Sequence, residues 1–318
     1  MGKATQRLRV IAADGSNISL INTPALNKHF GGQSNQNGSF VQGKTFYYYD
    51  VLNQLVLFSR IMPYRYGEIQ LVYDGIGQLE KDTLVIYDRN FCSYKMFALH
   101  IWAEQEVKFI IRGKENQTVI KDFIATGDPS AIVYLAPSLD AMKALRESGF
   151  IVTRDTLLKV PLVRVELQKT IEVLVTNLWG EDGHCSDGFK TLYFLRWGVE
   201  TNISIQKNIL PLEAFSGLTV ESVEQDFYAT VFTANLHSIL IKDAQASVDM
   251  NAEKSKYPMK VNKNKSFGKL KVNILSLFIS SDVDSILEIL HHHFIKDTLP
   301  IRKHRSYERV RKNKHGHS

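Results

Sequence analysis

The sequence is poor in cysteine and contains no long apolar run. Its 318 residues include only Cys92 and Cys185, and neither belongs to a CxxC pair. A disulfide framework and a thiol redox motif are therefore excluded, and two free thiols suit a reducing cytoplasm. His184 and Cys185 are adjacent but lack a second ligand pair, so zinc is not expected. No stretch reaches 18 apolar residues and the N-terminus has no signal-peptide pattern, so we expect a cytoplasmic protein with no membrane partner.

Positive charge is concentrated at the C-terminus. The net charge is +6, and residues 301–318 hold seven Lys/Arg and one Glu, so the rest of the chain is neutral. A second basic run lies between Lys254 and Lys271. Such runs suit phosphate backbones, whose counterions are released on binding. The alternative is a solvated tail that keeps the protein soluble.

The hydrophobic pattern predicts an α/β protein. Asp14-Gly15-Ser16 forms a turn in the first strand region, and Asp88 ends the short buried pattern TLVIY. Functional residues gather at strand ends in such sheets. The predicted order is a strand over 7–21, a loop over 22–43, a hairpin over 44–62, a helix over 65–79, a strand over 83–87, a helix over 94–104 and a strand over 107–111.

Residues 115–175 differ from their surroundings. Short β-type runs (TVIKDFI, AIVYLA, VPLVRVEL, IEVLVT) alternate there with Gly, Pro, Asp and Ser, which predicts a β-rich insertion. Helical patterning returns after Asp187, and the spacing of Val220, Val223, Phe227 and Val231 predicts one face of a long helix. We therefore predict a core formed by 1–114 and 176–245, the insertion, and a helical segment with a basic tail over 246–318.

One helix face in the segment KTLYFLRWGVETNISIQK carries a carboxylate between cations. Tyr193, Arg196, Glu200 and Lys207 would span a stripe of roughly 60° on a continuous helix. A metal-binding Glu beside phosphate-binding cations would suit a helix that cuts DNA. The alternative is an exposed face with i, i+4 pairing of Arg196 and Glu200. Trp197 is predicted to face the core.

Three motifs carry a resemblance to a known family. Tyr-x2-Arg-x3-Glu-x6-Lys, VIYDRNFCSY and VIAADGSNISL resemble, in the expected order, the motifs of bacterial insertion-sequence DDE transposases with the Y-R-E-K signature, the type-four insertion-sequence family. Asn90 and Phe91 replace the usual Gly and Tyr of the second motif. Together the motifs cover most of residues 8–240.

The resemblance implies an RNase H-like fold, a mixed sheet flanked by helices, with a β-rich insertion between the second Asp and the catalytic Glu. Asp14, Asp88 and Glu200 match the metal-binding triad, which would hold two Mg²⁺ ions, with Mn²⁺ as a substitute. The implied reaction is hydrolysis at an element end followed by attack of the freed 3′-OH on target DNA, in cut-and-paste transposition. The implied partners are element ends, target DNA and a second copy in a homodimeric synaptic complex, in the bacterial nucleoid.

The resemblance also assigns DNA contacts. Tyr193, Arg196 and Lys207 match the signature residues thought to contact phosphates. A DNA-binding region commonly precedes the first Asp in the family, whereas Asp14 stands almost at the start of this sequence. We therefore expect most of that region to be missing. The alternative function is a truncated, inactive remnant that inhibits by binding DNA or by dimerising.

Each further candidate residue has both a functional and a purely structural interpretation. Arg89 would reach a phosphate or form a structural ion pair, and Arg112 and Lys114 would line a DNA channel or stand as solvated loop charges. Trp179 would stack on an unpaired or flipped base or simply pack. Asp50 is the best substitute carboxylate, as a supporting residue. The run His291-His292-His293 points in different directions on a helix, so no shared metal is expected.

Overall fold

A computed structural model of the chain describes residues 8–36, 38–102, 107–167, 170–178, 186–251 and 256–302. Its strands are β1 (Arg9–Ser19), β2 (Gly32–Asn35), β3 (Gly38–Asp50), β4 (Leu55–Pro63), β5 (Thr83–Tyr87), β6 (Lys108–Arg112), β7 (Ser130–Leu135), β8 (Leu158–Glu166), β9 (Ile171–Thr176), β10 (Met259–Val261) and β11 (Thr298–Pro300). Its α-helices are α1 (Pro24–Phe30), α2 (Glu68–Ile76), α3 (Tyr94–Ile101), α4 (Thr118–Thr126), α5 (Leu139–Glu147), α6 (Ser186–Phe194), α7 (Trp197–Asn208), α8 (Val220–Met250), α9 (Lys263–Ile279) and α10 (Val283–Lys296).

A nine-stranded mixed sheet organises the larger part of the chain. Strands β1, β3 and β4 pair antiparallel, and β1, β5 and β6 pair parallel. The central order is thus β4-β3-β1-β5-β6, the arrangement of an RNase H-like sheet. Strands β9, β8 and β7 extend it antiparallel beyond β6. The predicted α/β fold, a mixed sheet flanked by helices, is confirmed.

The two faces of the sheet bury different helices. Because successive strand residues point to opposite faces, Ile11 and Ala13 join one cluster and Ala12 joins another. Residues of α2, α3, α4 and α5 pack in the first cluster. Residues of α1, α7 and α8 pack in the second, and residues of α6 pack in a third cluster with Val10 and Ile86. Each face of the sheet is therefore covered by helices over much of its area.

Three local predictions were wrong. Asp14-Gly15-Ser16, predicted as a turn, lies inside β1, because these residues continue the antiparallel pairing of β1 with β3. Residues 22–43 form α1, β2 and the start of β3 instead of a loop. Thr23 caps α1 through its side chain and Pro24 occupies the first turn, which favours a helix start. TVIKDFI forms α4 rather than a strand, because Ile120 and Phe123 lie on one buried helical face and Gly127 ends it in the left-handed conformation.

Other local predictions were confirmed. AIVYLA, VPLVRVEL and IEVLVT contribute β7, β8 and β9, and these strands belong to the main sheet. Val223, Phe227 and Val231 are buried along α8 as their spacing predicted. The division of the chain into core, insertion and C-terminal segment stays a prediction.

The chain forms two compact units, Met1–Asn235 and Leu236–Ser318. In the second unit, the last part of α8, α9, α10 and the β10–β11 pair enclose a small core that includes Ile241, Leu270, Leu290 and Phe294. Among the described residues, no helix combines the length and the apolar character that crossing a membrane needs.

Candidate active site

Asp14 and Asp88 lie side by side on neighbouring strands. In the parallel pairing of β1 and β5, Ala13 is opposite Tyr87, so the next residue on each chain is Asp14 and Asp88. Ala12 and Ile86 point away from the α2–α5 side of the sheet. Strand alternation places Asp14 on the face of Ala12, the face that α6 and α7 cover. Two carboxylates thus meet beneath these helices.

Glu200 approaches from the first turns of α7. Its Oε1 accepts a hydrogen bond of 2.5 Å from Nη1 of Arg196. Arg196 is buried, while the Glu200 side chain is 35% exposed. Arg196 and Glu200 thus form the i, i+4 ion pair that was the alternative interpretation of the sequence. The pair lies close to the two aspartates instead of on a face that only contacts solvent.

The electrostatics show that these groups form one cluster. Burial raises the pKa of Asp14 to about 6, and the negative charges of Glu200 and Asp88 add to that rise. The Gly15 amide, which donates to Asp14 over 2.8 Å, and the Arg196 guanidinium oppose it. Burial alone would lower the pKa of Arg196, but Tyr193, Glu200 and Asp88 keep it raised. Three carboxylates are thus partly neutralised by one buried cation.

The segment around Arg196 is not one continuous helix as predicted. Helix α6 ends at Phe194 and α7 begins at Trp197. The amides of Leu195 and Arg196 donate to carbonyls three residues back, which tightens the chain between the helices. Tyr193 and Lys207 therefore belong to different helices, but the Arg196 guanidinium lies 5.7 Å from the Tyr193 ring centre and so stays close to it.

Two buried polar atoms at the cluster have no hydrogen-bond partner within the described residues. They are the hydroxyl of Tyr193 and Nε of Arg196. Burial raises the pKa of Tyr193 to about 12, so the hydroxyl remains a proton donor. A buried donor without a partner is costly, which points to a group that binds there.

Lys207 contacts the chain just beyond Asp14. Its Nζ donates to Ser16 Oγ over 2.7 Å and to the Asn17 carbonyl over 2.6 Å. Glu213 lies 3.9 Å from Nζ and also accepts from the Ser19 amide. The sequence motif included Ser16, whereas nothing local in the sequence indicates Glu213, because its contact with Ser19 joins distant parts of the chain.

The other predicted cations differ in their surroundings. Arg89 is exposed in the short 3₁₀ turn after Asp88, and no ion pair involves it in the part of the chain described. Arg112 pairs with Glu172 over 2.9 Å and with Glu115 over 3.7 Å, and its charge acts on Tyr193. Lys114 is half-buried, and its charge opposes the rise that burial causes in the pKa of the Cys92 thiol. Arg112 thus belongs to the neighbourhood of the cluster.

Asp50 has a structural position. Its carboxylate is buried, pairs with Arg9 over 2.9 Å and accepts bonds from Leu52 and Asn53 at the β3–β4 turn. Burial alone would raise the pKa of Asp50, but the bonds from Asn53 and Arg9 hold it below its usual range. These bonds occupy both carboxylate oxygens, so Asp50 is a poor substitute ligand.

The prediction for one of the tryptophans was wrong. Trp197 does not face the core: its side chain is 55% exposed and lies under the Arg196 guanidinium at 5.0 Å from the ring centre. It begins α7, where the break between the helices turns it outward. Trp179, together with His184 and Cys185, lies outside the described residues.

The carboxylates are not arranged as a ready metal site. Across the described residues, no group of three His, Cys, Asp or Glu side chains has an arrangement that could hold a metal ion. A physical reason is visible at Glu200, whose Oε1 is bound by Arg196. Asp14, Asp88 and Glu200 are nonetheless the carboxylates that the fold brings to this cluster.

Comparison with solved structures found distant similarities, including the following two. A piggyBac transposase synaptic complex with hairpin DNA aligns over 90% of this chain and 57% of its own, with a TM-score of 0.45 and 10% identity. The NurA nuclease from Sulfolobus solfataricus aligns over 78% of this chain and 86% of its own, with a TM-score of 0.25 and 9% identity. Scores this low support no inference about activity.

Comparison with curated proteins found no match. Comparison with family models, in contrast, matched the transposase DDE domain over residues 5–236. This stretch is well over half of the chain and contains Asp14, Asp88 and Glu200. The chain therefore belongs to the transposase DDE-domain family.

Proposed function

We propose that this chain is the catalytic domain of a metal-dependent DNA transposase of the Y-R-E-K insertion-sequence type. It would cleave a strand at the element end and join the freed 3′-OH to target DNA in cut-and-paste transposition. The observation that carries the proposal is the meeting of Asp14, Asp88 and Glu200 at one partly buried cluster on the α6–α7 face. Arg196 is one cation beside three carboxylates, so divalent cations would complete the charge balance there.

The donor set fits divalent metals. Mg²⁺ prefers carboxylate oxygens and retains waters, so three carboxylates suffice for two ions, and Mn²⁺ can replace Mg²⁺. Asp14, Asp88 and Glu200 would hold them, and Glu200 would do so through Oε2 while Oε1 stays bonded to Arg196. Bound divalent cations would stabilise the charge that develops on the attacking and leaving oxygens.

The side chains around the carboxylates suit a DNA backbone. The free hydroxyl of Tyr193 and Nε of Arg196 can donate to phosphate oxygens, since neither has another partner among the described residues. Lys207, Arg89, Arg112 and Lys114 would add positive charge along the path of the strand. Arg196 would also position Glu200, because the two are bonded before DNA arrives.

Strand cleavage in the presence of Mg²⁺ or Mn²⁺ tests the proposal. The substrates are a duplex with the terminal sequences of the element that encodes the chain and a supercoiled plasmid. We expect metal-dependent cleavage by the wild-type chain and losses of at least about 100-fold in Asp14→Asn, Asp88→Asn and Glu200→Gln, since each removes a charge-stabilising group. Asp122→Asn and Glu147→Gln, at exposed positions of α4 and α5, are the matched controls.

Metal binding provides a readout besides activity. Mn²⁺ should raise the thermal unfolding temperature of the wild-type chain and leave that of Asp88→Asn unchanged, because ligand binding to the native state stabilises it. Absence of cleavage of either DNA in both metals would contradict the proposal. Salt-dependent DNA binding without cleavage would instead support the alternative of an inactive, inhibitory remnant. The homodimeric synaptic complex stays a prediction.

A further inference from the structure

An open part of the sheet remains beyond α6, on strands β7 and β8. Its exposed residues include Tyr134 and Ile132, whose side chains are 63% and 39% exposed, and Lys159. Lys108, which is half-buried, and Pro161, which is buried, lie beside them. We call these five residues the β7–β8 platform. An exposed tyrosine and isoleucine next to each other on a sheet are unusual for a surface that only faces solvent.

The platform lies on the same sheet face as Asp14 and Asp88. In the antiparallel pairing of β7 and β8, Tyr134 is opposite Lys159 and Ile132 is opposite Pro161. Two residues along β8 from Pro161, Val163 packs with residues of α6. Because alternate strand residues share a face, the platform points toward the side that α6 covers. Side chains directly opposite each other approach within about 5 Å, so Tyr134 and Lys159 are neighbours.

A cavity of about 290 Å³ opens at the platform. It is lined by four residues of the platform, all except Tyr134, and by His100, Ile101 and Asn177. The Asn177 side chain is held by Phe109 and Val107, and the His100 ring by Tyr87 and Val107. This volume is near the lower end of ligand pockets, about 300 Å³, which suits one planar ring and excludes a duplex.

The charge of the platform is positive and uncompensated. In the part of the chain that the structure describes, no ion pair involves the ammonium group of Lys108 or that of Lys159. The exposed ring of Tyr134 stands between this charge and the sheet edge, because β7 is the last strand in the sheet order. An apolar floor, one open aromatic ring and two cations are the features that bind unpaired nucleic acid strands.

We propose that the β7–β8 platform binds an unpaired DNA strand. A base stacks on Tyr134 and against Ile132, and Lys108 and Lys159 bind the neighbouring phosphates. This inference takes DNA as the ligand from the proposed function. The site that it assigns lies outside the carboxylate cluster. Four strand spacings of about 4.8 Å, roughly 19 Å in all, separate β5 from β7, a distance that about six nucleotides span at the stacked spacing of about 3.4 Å per nucleotide.

Fluorescence anisotropy with a labelled oligothymidylate of about 15 nucleotides tests the site on the full chain. We expect Tyr134→Ala to weaken binding at least about fivefold, since stacking of a base is lost. Lys159→Gln should reduce the slope of log affinity against log salt by about 0.7, the value for one phosphate of a single strand. Tyr73→Ala on α2 and Lys143→Gln on α5 remove the same groups from exposed positions of helices on the opposite sheet face and should change neither quantity.

Crosslinking locates the bound strand independently. An oligonucleotide with iododeoxyuridine, irradiated with the wild-type chain, should crosslink to the peptide that contains Tyr134. A crosslink only to other peptides, no binding by the wild-type chain at about 50 mM salt, or equal binding by wild type and Tyr134→Ala, would overturn the inference. Tyr134-dependent binding by a chain that cleaves no DNA would leave the inference standing and refute the proposed catalysis alone.

Discussion

At the scale of single residues, His100 links stability to pH. Its ring is fully buried between Tyr87 and the Val107 carbonyl, and burial lowers the pKa of His100 to about 4. The unfolded chain takes up a proton near pH 6.5, whereas the folded chain stays neutral there. The unfolded state therefore binds more protons between about pH 6.5 and 4, so the free energy of unfolding falls as the pH is lowered through this range.

We predict that His100→Gln flattens this pH dependence. His100 contributes up to about 1.4 kcal/mol of lost stability for each pH unit inside the window. Urea denaturation of both chains at pH 7, 6 and 5 gives the difference in slope, and the variant should be less stable at pH 7 but approach the wild type toward pH 5. Parallel curves at all three pH values would contradict the assignment. The similarly buried His237, whose pKa burial lowers to about 3, is present in both chains. Its contribution to the pH dependence therefore cancels from the difference between them.

Lys207 offers a second residue-scale prediction, because its contacts allow two roles. Its bonds to Ser16 and Asn17 would hold α7 on β1, whereas the family signature implies a phosphate contact. If Lys207 contacts DNA, Lys207→Gln lowers the salt slope of duplex binding by about 0.9, and Ser16→Ala leaves the slope unchanged. We expect this result in filter-binding assays at several salt concentrations. Equal slopes for all three chains would leave Lys207 with the structural role only.

The sequence indicated the candidate carboxylates better than their surroundings. Asp88 was predicted at the end of its strand and follows β5 directly, whereas Asp14, predicted at a turn that ends the first strand, lies inside β1. The Lys207–Ser16 bond and the burial of Arg196 depend on distant parts of the chain meeting, which no local pattern records. Buried polar contacts of this kind require the packed structure.

At the scale of elements, the junction between α6 and α7 shows why periodicity alone misled. The spacing of Tyr193, Arg196 and Glu200 is compatible with one helix, but a helical period does not reveal a single tightened turn. Gly198 accounts for part of the geometry: a Cβ there would lie 3.2 Å from a Val51 methyl and 3.5 Å from the Tyr49 ring. The missing side chain lets α7 approach the end of β3, and thereby the strand beside Asp14.

Helix α2 provides the element-scale prediction, through two glycines with opposite surroundings. Gly75 faces the sheet, and a Cβ there would lie 2.7 Å from the Phe58 ring and 2.8 Å from the Tyr48 ring. Gly77 ends the helix in right-handed conformation with nothing within 4 Å. Gly75→Ala should lower the free energy of unfolding by about 1–3 kcal/mol by overpacking, although alanine favours helices.

Gly77→Ala is the matched control and should be neutral or stabilising by up to about 1 kcal/mol, because it reduces the freedom of the unfolded chain without a clash. Urea denaturation of the two variants measures both values. A Gly75→Ala chain as stable as the wild type would show that α2 shifts away from β3 and β4 at little cost.

At the scale of the whole molecule, topology explains how separated motifs form one site. The first motif lies on β1, the second runs from β5 to the start of α3, and the third spans α6 and α7, after the strands β6 to β9 have been added to the sheet. The order of motifs indicated the family, but the shared face of Asp14, Asp88 and Glu200 follows from parallel pairing and strand alternation. Sequence patterns predict which segments form strands better than they predict which strands pair with each other.

The basic C-terminus allows the last prediction, which depends on charge alone. Residues 303–318 lie outside the described part of the chain and contain six Lys/Arg and one Glu. If they bind phosphates, truncation after Arg302 should reduce the salt slope of duplex binding by up to about 5, since each neutralised phosphate contributes about 0.9. A chain in which these six cations are changed to Gln keeps the length and should behave like the truncated chain. An unchanged slope in both variants would identify the tail as a solvated segment, and DNA affinity would then arise from the cations near Asp14 and from Lys108 and Lys159.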